Sequence, residues 1–391
     1  MSEIRVDSIG NESNTGGPVL SGITTFSGQQ YFIPPKGTTG ERPSDCPPGS
    51  IRFNTDSARL EYWQGTVWLE FEASSVELGD QNNTNSSGGT GHRAVVGGAN
   101  PAPTFTNAID YFTMSTLGNS QSFGELIDGR GFKGTAFSSS TRLVFAGGYT
   151  SVGKRNVMEF VTMSSTGNAQ DFGDQTVHGN DGRTSCIGLS NSTRGLMAGG
   201  QDSNSSPFFT DGISYVTIAS TGNDIDFGDA NNSGGGSSSG CGNPVRGIYQ
   251  LGGNPRPIDY INFSTTGNAQ DFGDLAANFG GPAGASNAVR GIFAGGNGAN
   301  NINYITISTT GNAQDFGDLT LDRFELVGLG SPTRAVFAGG AQEPASPFIS
   351  NRIDYVEIMT TGNAVQFGDL SYITGQGRHP EGGSNGHGGL S

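Results

Sequence analysis

One phrase recurs six times along the last three-quarters of the chain, and it limits the possible folds more than any other feature. Two of its copies are ISYVTIASTGNDIDFGDA at 213–230 and INYITISTTGNAQDFGDL at 302–319. The spacing between successive copies runs from 44 residues, Ile258 to Ile302, to 55 residues, Met158 to Ile213. A repeat of this length is one supersecondary unit that buries its apolar face against its neighbours. The sequence therefore predicts a repeat array.

An arginine, followed by a short apolar run and usually by two glycines, precedes each copy of the phrase. The six arginines are Arg93, Arg142, Arg194, Arg246, Arg290 and Arg334. A carboxylate clamp is one interpretation of so many arginines. Because the residue recurs at the same place in every unit, we instead expect it to brace one unit against the next.

The residue pattern of each unit predicts four strands. The first ends near the arginine, and the second is the apolar run before the glycines. The third is rich in β-branched and aromatic residues, and the fourth surrounds Phe-Gly-Asp. A Thr-Gly-Asn turn separates the last two, since Gly and Asn tolerate positive φ. No dozen-residue segment has the apolar spacing of a helix, so the prediction is an all-β protein.

The repeat resembles the kelch repeat. In the sixth unit Gly339-Gly340, Tyr355 and Phe367 match its double glycine, its tyrosine and the large aromatic about a dozen residues later. The sequence departs by using Phe where kelch usually has Trp, and by using Phe160 for the tyrosine of the second unit. The resemblance implies a six-bladed kelch-like β-propeller over residues 76–391.

The end of the chain echoes the repeat and predicts how the ring closes. SNGHGGL at 384–390 is similar to SNAVRGI at 286–292, and we assign His387, one residue from strict register, to the arginine position. We expect this stretch to supply a strand beside the segment before Arg93. Pairing the two ends of the array in this way would remove its open edges.

The region before the repeats predicts two further parts, an extended segment over residues 1–35 and a small module over 36–75. The module combines a Pro/Gly-rich linker with GSIRFNTDSARLEYWQGTVWLEF at 49–71, whose alternation predicts a β-meander. So few residues cannot bury a stable core alone. We therefore expect a partner for the module, with copies of the same chain in a homotrimer as the leading candidate.

Segment 49–71 resembles a short module of bacteriophage tail and virion proteins. The opening, IRVDSIGNESNTGGPVLSG, is similar to the starts of structural proteins of marine cyanophages. The resemblance implies a fibre-like or decorating virion protein whose first 35 residues anchor it to other virion proteins. The start MSEIRVDSIG lacks a basic stretch followed by an apolar run, so we expect synthesis in the host cytoplasm without a signal peptide.

Composition and motif spacing argue against most chemistry. A net charge of −15 argues against binding of nucleic acid, and no apolar run is long enough for membrane insertion. Three distant cysteines, Cys46, Cys186 and Cys241, do not predict disulfides or a zinc site. Residues 129–134 fit G-x-G-x-x-G but lack a βαβ context. The four histidines are scattered. We predict no catalytic residue, no metal, no cofactor and no enzymatic activity.

The loops after the double glycines do not repeat, and loops carry function on rigid scaffolds. By the kelch resemblance they emerge on one face, where aromatic and basic side chains suit a host-surface glycan or protein. The candidate binding residues are Phe105, Tyr149, Lys154, Arg155, Phe208, Phe209, Phe348 and Arg352. The alternative that these rings pack against the edges of their own units stays open.

Two other function classes also stay open. A cellular kelch-type interaction scaffold would need no N-terminal anchor, so the first 75 residues argue against it. A glycan-processing enzyme predicts a non-repeated cluster of carboxylates on one face of the propeller. Comparison of the repeats shows no such cluster clearly.

Overall fold

The computed structural model describes residues 34–70 except 58, and residues 92–390 except 99–104, 131–133, 152, 178–181, 203–207, 236–238, 253–255, 276–280, 297–298, 343–348 and 372–378. Phe348, one of the candidate binding residues, lies outside these ranges. The chain forms two compact units, Met1–Ser75 and Val76–Ser391.

The described part of the first unit is one four-stranded sheet. Its strands, in the order in which they lie in the sheet, are β1 (Lys36–Gly37), β2 (Ile51–Asn54), β3 (Arg59–Trp63) and β4 (Trp68–Glu70), and a 3-10 turn covers Thr39–Glu41. The β1–β2 pair is parallel and the other two pairs are antiparallel. The three longer strands thus form a meander within 49–71.

One face of this sheet is apolar and open to solvent. Ile51 pairs with Tyr62, which pairs with Leu69, and Phe53 pairs with Leu60. Directly paired residues share a face, so all five side chains lie together. Ile51 is 50% exposed, Leu60 41% and Leu69 37%.

The opposite face of the sheet carries the buried polar groups. Glu61 is fully buried and accepts hydrogen bonds from Arg42 and Asn54, with Arg52 Nε at 3.4 Å from its other oxygen. Trp68 Nε1 donates to the Pro43 carbonyl at 3.1 Å. The unit therefore covers its polar face with residues 38–48 and leaves its apolar face open, the reverse of the usual arrangement.

The second unit contains six four-stranded antiparallel sheets among its described residues, named here in chain order. Sheet 1 consists of β5 (Arg93–Gly97), β6 (Thr106–Thr113) and β7 (Gln121–Arg130) together with β30 (Glu381–Ser384). Sheet 2 consists of β8 (Thr135–Ser138), β9 (Arg142–Ala146), β12 (Val157–Thr162) and β13 (Gln170–Asp174), and the hairpin β10 (Tyr149–Thr150) and β11 (Gly153–Lys154) lies between β9 and β12.

The other four sheets have the same plan. Sheet 3 consists of β14 (Ile187–Ser190), β15 (Arg194–Ala198), β16 (Gly212–Thr217) and β17 (Ile225–Asp229). Sheet 4 consists of β18 (Ser239–Gly242), β19 (Arg246–Gln250), β20 (Pro257–Asn262) and β21 (Gln270–Asp274). Sheet 5 consists of β22 (Ala283–Ser286), β23 (Arg290–Ala294), β24 (Asn301–Thr306) and β25 (Gln314–Asp318). Sheet 6 consists of β26 (Val327–Gly330), β27 (Arg334–Ala338), β28 (Arg352–Glu357) and β29 (Val365–Asp369).

One edge strand of each sheet, which we call its inner strand, faces a common axis. It is β30 in sheet 1 and the first strand in sheets 2 to 6. The inner strands contact one another in the closed order β8, β14, β18, β22, β26, β30 and back to β8. Six buried apolar clusters lie between the sheets, each shared by two neighbours, and the cluster of sheets 6 and 1 completes the circle. This is a β-propeller-like fold, and the all-β prediction is confirmed.

Glycine is needed where the inner strands meet. At the second residue of the inner strand, sheets 3 to 6 and the closing strand have glycine, and sheet 2 has Ala136. A Cβ on Gly284 would collide with the carbonyl oxygen of Gly240 in the preceding sheet. The backbones of neighbouring inner strands thus pack directly against each other, because no side chain separates them.

The repeated Phe-Gly-Asp and Thr-Gly-Asn phrases join neighbouring sheets. Gly317 has φ of +149°, and a Cβ there would meet the Gly362 carbonyl of the next sheet. The Gly362 N–H donates to the Phe316 carbonyl at 2.8 Å, and the Asp318 N–H donates to Asn363 Oδ1 at 3.1 Å. The turn predicted from Thr-Gly-Asn therefore also attaches each sheet to the one before it.

The C-terminal strand closes the ring, with one difference from the prediction. Strand β30 pairs with β5 itself, from Glu381 opposite Gly97 to Ser384 opposite Ala94. The Arg93 N–H donates to Asn385 Oδ1 at 2.7 Å, as the Arg290 N–H donates to Asn287 Oδ1 within sheet 5. Arg93 therefore occupies the arginine position of the closing sheet, and placing His387 there was wrong.

In the part of the chain described, no helix has the length and apolar character needed to cross a membrane.

Candidate functional site

The loops after the double glycines and the starts of the inner strands lie at the same end of the ring. In sheet 2, Thr135 at the start of the inner strand pairs with Ala146, which directly precedes the glycines. In sheet 1, Glu381 pairs with Gly97 in the same way. We call this end the mouth end. The repeated arginines begin the second strands and therefore lie at the opposite end.

Two of the candidate loops meet at the mouth end. Tyr149 and Lys154 pair in the β10–β11 hairpin of sheet 2, and Lys154 Nζ is 3.5 Å from the Gln201 carbonyl of sheet 3. Gln201 in turn forms a bridge with Phe209. Phe208 and Phe209 are 46% and 40% exposed. The loops of sheets 2 and 3 thus form one continuous surface with exposed aromatic rings.

The other candidate residues are more dispersed. Arg155 pairs with Asp128 of sheet 1 at 3.3 Å, and Phe105 is half-buried. Arg352 begins a strand of sheet 6, three sheets from sheet 3 in the ring, and its Nε donates to Asp354 at 3.2 Å. The structure therefore does not bring Arg352 to the aromatic loops.

The six repeated arginines have the same contacts in every sheet. Each guanidinium lies 4.5–4.8 Å from the centre of an aromatic ring in its own sheet. Each also donates to a backbone carbonyl of the next sheet, as Arg290 does to Ile358 at 3.1 Å, and Arg334 of sheet 6 donates to Met114 of sheet 1. A cation over a ring contributes about 0.5–2 kcal/mol. These contacts link neighbouring sheets around the whole ring.

A second set of arginines, Arg130, Arg183 and Arg323, is almost completely buried, and sequence reasoning did not single it out. Arg323 donates to the Gly339 carbonyl at 2.7 Å and pairs with Asp354 at the same distance. The repeat comparison could have suggested a role, because all three arginines directly follow a Gly or Asp shortly before an inner strand. Their partners are backbone carbonyls and the third residue of a third strand, so their contacts are internal to the fold.

A pocket of about 140 Å³ lies at the mouth end, where the inner strands begin. Residues two positions before an inner strand line it from four sheets: Ser185, Gly281, Glu325 and His379. All four have left-handed backbone, with φ of 60°, 74°, 57° and 55°. Glycine adopts this conformation without strain, whereas other residues pay roughly 1 kcal/mol or more. Three of the four positions nevertheless carry polar side chains, and His379 Nε2 lies 3.1 Å from Glu325 Oε1.

Glu381 is the most buried polar residue of the described pocket lining. It begins β30, is 5% exposed, and accepts a hydrogen bond from the Gly134 N–H. Its Oε2 has no hydrogen-bond partner among the described residues. Burial raises the pKa of Glu381 to about 8, with Arg130 acting in the opposite direction and Glu159 in the same one. The carboxyl group is therefore mostly protonated at neutral pH and can donate as well as accept.

The C-terminal 3-10 turn at His387–Gly389 lies at the far end of the axis, in contact with β18, β22 and β26. His387 Nε2 lies 2.8 Å from the Ser138 carbonyl, to which it donates, and 3.2 Å from Ser190 Oγ. Burial lowers the pKa of His387, so the ring is neutral at physiological pH.

The pocket changes one expectation from the sequence. The repeat comparison shows no clear non-repeated carboxylate cluster, but Glu325 and Glu381 line the same pocket. Aligning the inner strands would have singled out the Glu381 carboxyl group. Glu381 begins the closing strand, whereas the other five inner strands begin with the neutral residues Thr135, Ile187, Ser239, Ala283 and Val327. Among the described residues, no three His, Cys, Asp or Glu side chains are grouped so as to hold a metal ion.

The closed ring of four-stranded sheets defines the class of the second unit as β-propeller-like. No family model and no curated protein sequence matches the chain. Many solved structures share the fold, including one described as "Structure of YjhT". The TM-score to that structure is 0.51 at 12% identity, and the similarity covers 67% of this chain and 91% of the other. At this identity the similarity shows the fold alone.

Proposed function

We propose that the chain is a structural protein of a bacteriophage particle. In this proposal the six sheets are the blades of a six-bladed kelch-like propeller, and the N-terminal region attaches the chain to other virion proteins. The mouth end of the propeller binds the host surface. The molecule acts by binding and not by catalysis.

The observation that carries the proposal is the reversed burial of the N-terminal sheet. Ile51, Phe53, Leu60, Tyr62 and Leu69 form an open apolar face on a sheet whose buried face is polar. Burying such side chains contributes about 1.5–3 kcal/mol each. A module of this size gains that energy by assembly, and we commit to copies of the same chain in a trimer. The similarity of segment 49–71 to phage modules supports this assignment.

The mass of the full-length chain in solution tests the assembly. Light scattering should give three times the 40.3 kDa chain mass. A full-length double variant, Leu60→Ser with Leu69→Ser, should fall to the mass of one chain because two exposed apolar contacts are lost. A matched variant at the exposed Val245 of the propeller, Val245→Ser, should keep the wild-type mass. A monomeric wild-type chain would contradict the assembly.

The binding surface is tested separately on cells. Labelled full-length protein is incubated with a panel of marine cyanobacteria, and bound fluorescence is measured by flow cytometry. The exposed rings of Phe208 and Phe209 should be required, so replacing both by serine should reduce binding, whereas Val245→Ser should not. Unchanged binding by the double variant would remove the aromatic loops from the proposed host-binding surface.

A further inference from the structure

The mouth pocket is lined by a buried carboxyl group, one oxygen of which has no hydrogen-bond partner in the described part of the chain. Glu381 is 95% buried, since 5% of it is exposed, and its Oε2 has no hydrogen-bond partner among the described residues. Leaving such a group unpaired in the folded protein is unfavourable. Nothing in the fold of β30 requires a carboxyl there, because the other inner strands begin with neutral residues. Glu381 also lines the mouth pocket, so a ligand in the pocket is the partner that we consider for this carboxyl group.

The size of the pocket limits what can enter. Its volume is about 140 Å³. A cavity of about 150 Å³ is enough for one benzene ring. The pocket therefore has room for one six-membered ring and not for an extended chain.

The lining combines flat apolar surfaces with a few polar groups. Pro282, Leu326 and Pro380 supply the apolar part, and Glu381 lines the same pocket. Ligand sites commonly have this composition, because apolar contact supplies affinity and a few polar groups fix orientation. A pyranose ring presents both kinds of surface, with C–H groups on its faces and hydroxyls around its edge.

The charge of the lining disfavours an acidic ring. Glu381 is mostly protonated at neutral pH, and the one basic group of the described lining, His379, already lies 3.1 Å from Glu325. No arginine or lysine of the described lining is available to pair with a ligand carboxylate or phosphate. The net charge of the whole chain, −15, acts in the same direction.

We propose that the mouth pocket binds a single neutral pyranose unit, with the Glu381 carboxyl hydrogen-bonded to one of its hydroxyls. This inference rests on the proposed host-binding function and narrows it to glycan recognition. The site lies at the mouth end, which also carries the exposed aromatic loops, so a sugar seated in the pocket can belong to a glycan that continues onto Phe208 and Phe209.

The test uses the full-length protein with two neutral hexoses, D-galactose and D-glucose, and the acidic sugar D-glucuronate. Saturation-transfer NMR detects binding, and titration gives dissociation constants. At least one neutral hexose should bind, and glucuronate should bind at least tenfold more weakly. Glu381→Leu removes the carboxyl and an unpaired buried group at once, so the variant should fold. Its hexose affinity should fall about tenfold to a hundredfold.

Glu125→Gln, at an exposed carboxylate in the outer strand of sheet 1, is the control and should bind as the wild type does. A second variant, Leu326→Ala, reports on the apolar wall and should also weaken hexose binding. Three results would overturn the inference: no neutral hexose binds, glucuronate binds best, or Glu381→Leu binds like the wild type. If the sugars fail but the aromatic loops remain necessary on cells, the host-binding function stands and only the pyranose site is wrong.

Discussion

Replacing Glu381 by glutamine should change how the stability of the protein depends on pH. The pKa of this carboxyl is about 8 in the folded protein and 4.5 when it is solvated. The folded state therefore holds a proton that the unfolded state releases between these values. Because the folded pKa is raised, the stabilising effect is complete below the unfolded pKa and is lost as pH rises through 8. Glutamine has a similar shape and does not titrate, so it removes this dependence.

The expected size follows from the same two pKa values. One unit of pKa difference corresponds to about 1.4 kcal/mol, so the free energy of unfolding should fall by about 2 kcal/mol between roughly pH 6.5 and pH 9 because of Glu381 alone. Other groups also titrate in this range, including the cysteine thiols of the unfolded chain. Subtracting the curve of the variant from that of the wild type removes their contributions and leaves that of Glu381.

The assay is urea unfolding of the wild type and of Glu381→Gln at several pH values, with the unfolding of the second unit followed by circular dichroism. The difference curve should slope downward from about pH 4.5, with a fall of about 2 kcal/mol between roughly pH 6.5 and pH 9, and become flat above about pH 9. A difference curve without slope would mean that the carboxyl is already ionised in the folded protein, held so by Arg130. That result would refute the conclusion that burial raises the pKa of Glu381.

Three further measurements test the packing of the ring and the burial of the thiols. Gly284→Ala should destabilise the second unit by about 1–3 kcal/mol, because the new methyl group meets the Gly240 carbonyl, whereas Ala136→Gly at the equivalent position of sheet 2 should cost under about 1 kcal/mol; urea unfolding measures both. Arg290→Met keeps the apolar stem but loses the carbonyl hydrogen bond and the ring contact, so unfolding should require about 2 kcal/mol less; equal stability would contradict the bracing role. Of the three thiols only the half-buried Cys46 should react with Ellman's reagent in the native protein, since the other two are buried and burial raises their pKa; three equivalents without denaturant would refute this.

The repeated parts of the fold were predictable from sequence because each repeated residue makes the same contact in each sheet. Arg290, its ring partner Tyr304 and the Thr-Gly-Asn turn recur with fixed spacing, and that spacing predicts four strands per unit. Sequence alone could not show that the asparagine of the turn attaches to the preceding sheet. This contact joins residues about 45 positions apart, as between Asp318 and Asn363.

The pocket was harder to predict, for two physical reasons. Glu381 belongs to the closing strand, whose sequence EGGS contains little of the repeat's apolar signature, so the residue was not compared with its equivalents. Ser185, Glu325 and His379 were not recognised because left-handed backbone is usually signalled by glycine, which occurs only at Gly281. Sequence reasoning followed the loops after the double glycines, and the structure joins only those of sheets 2 and 3.

Closure of the ring by β30 has a consequence for how the protein is made. The partner strand at Arg93–Gly97 leaves the ribosome almost 290 residues before Glu381–Ser384 does. At about 5–20 residues per second, synthesis leaves this strand without its neighbour for roughly 15–60 s. During that time sheet 1 has an unpaired edge next to Val95 and Val96, and unpaired edges invite pairing with other chains. Nascent chains on one polysome are the nearest such partners, so premature termination before residue 381 should favour aggregation over a merely shorter ring.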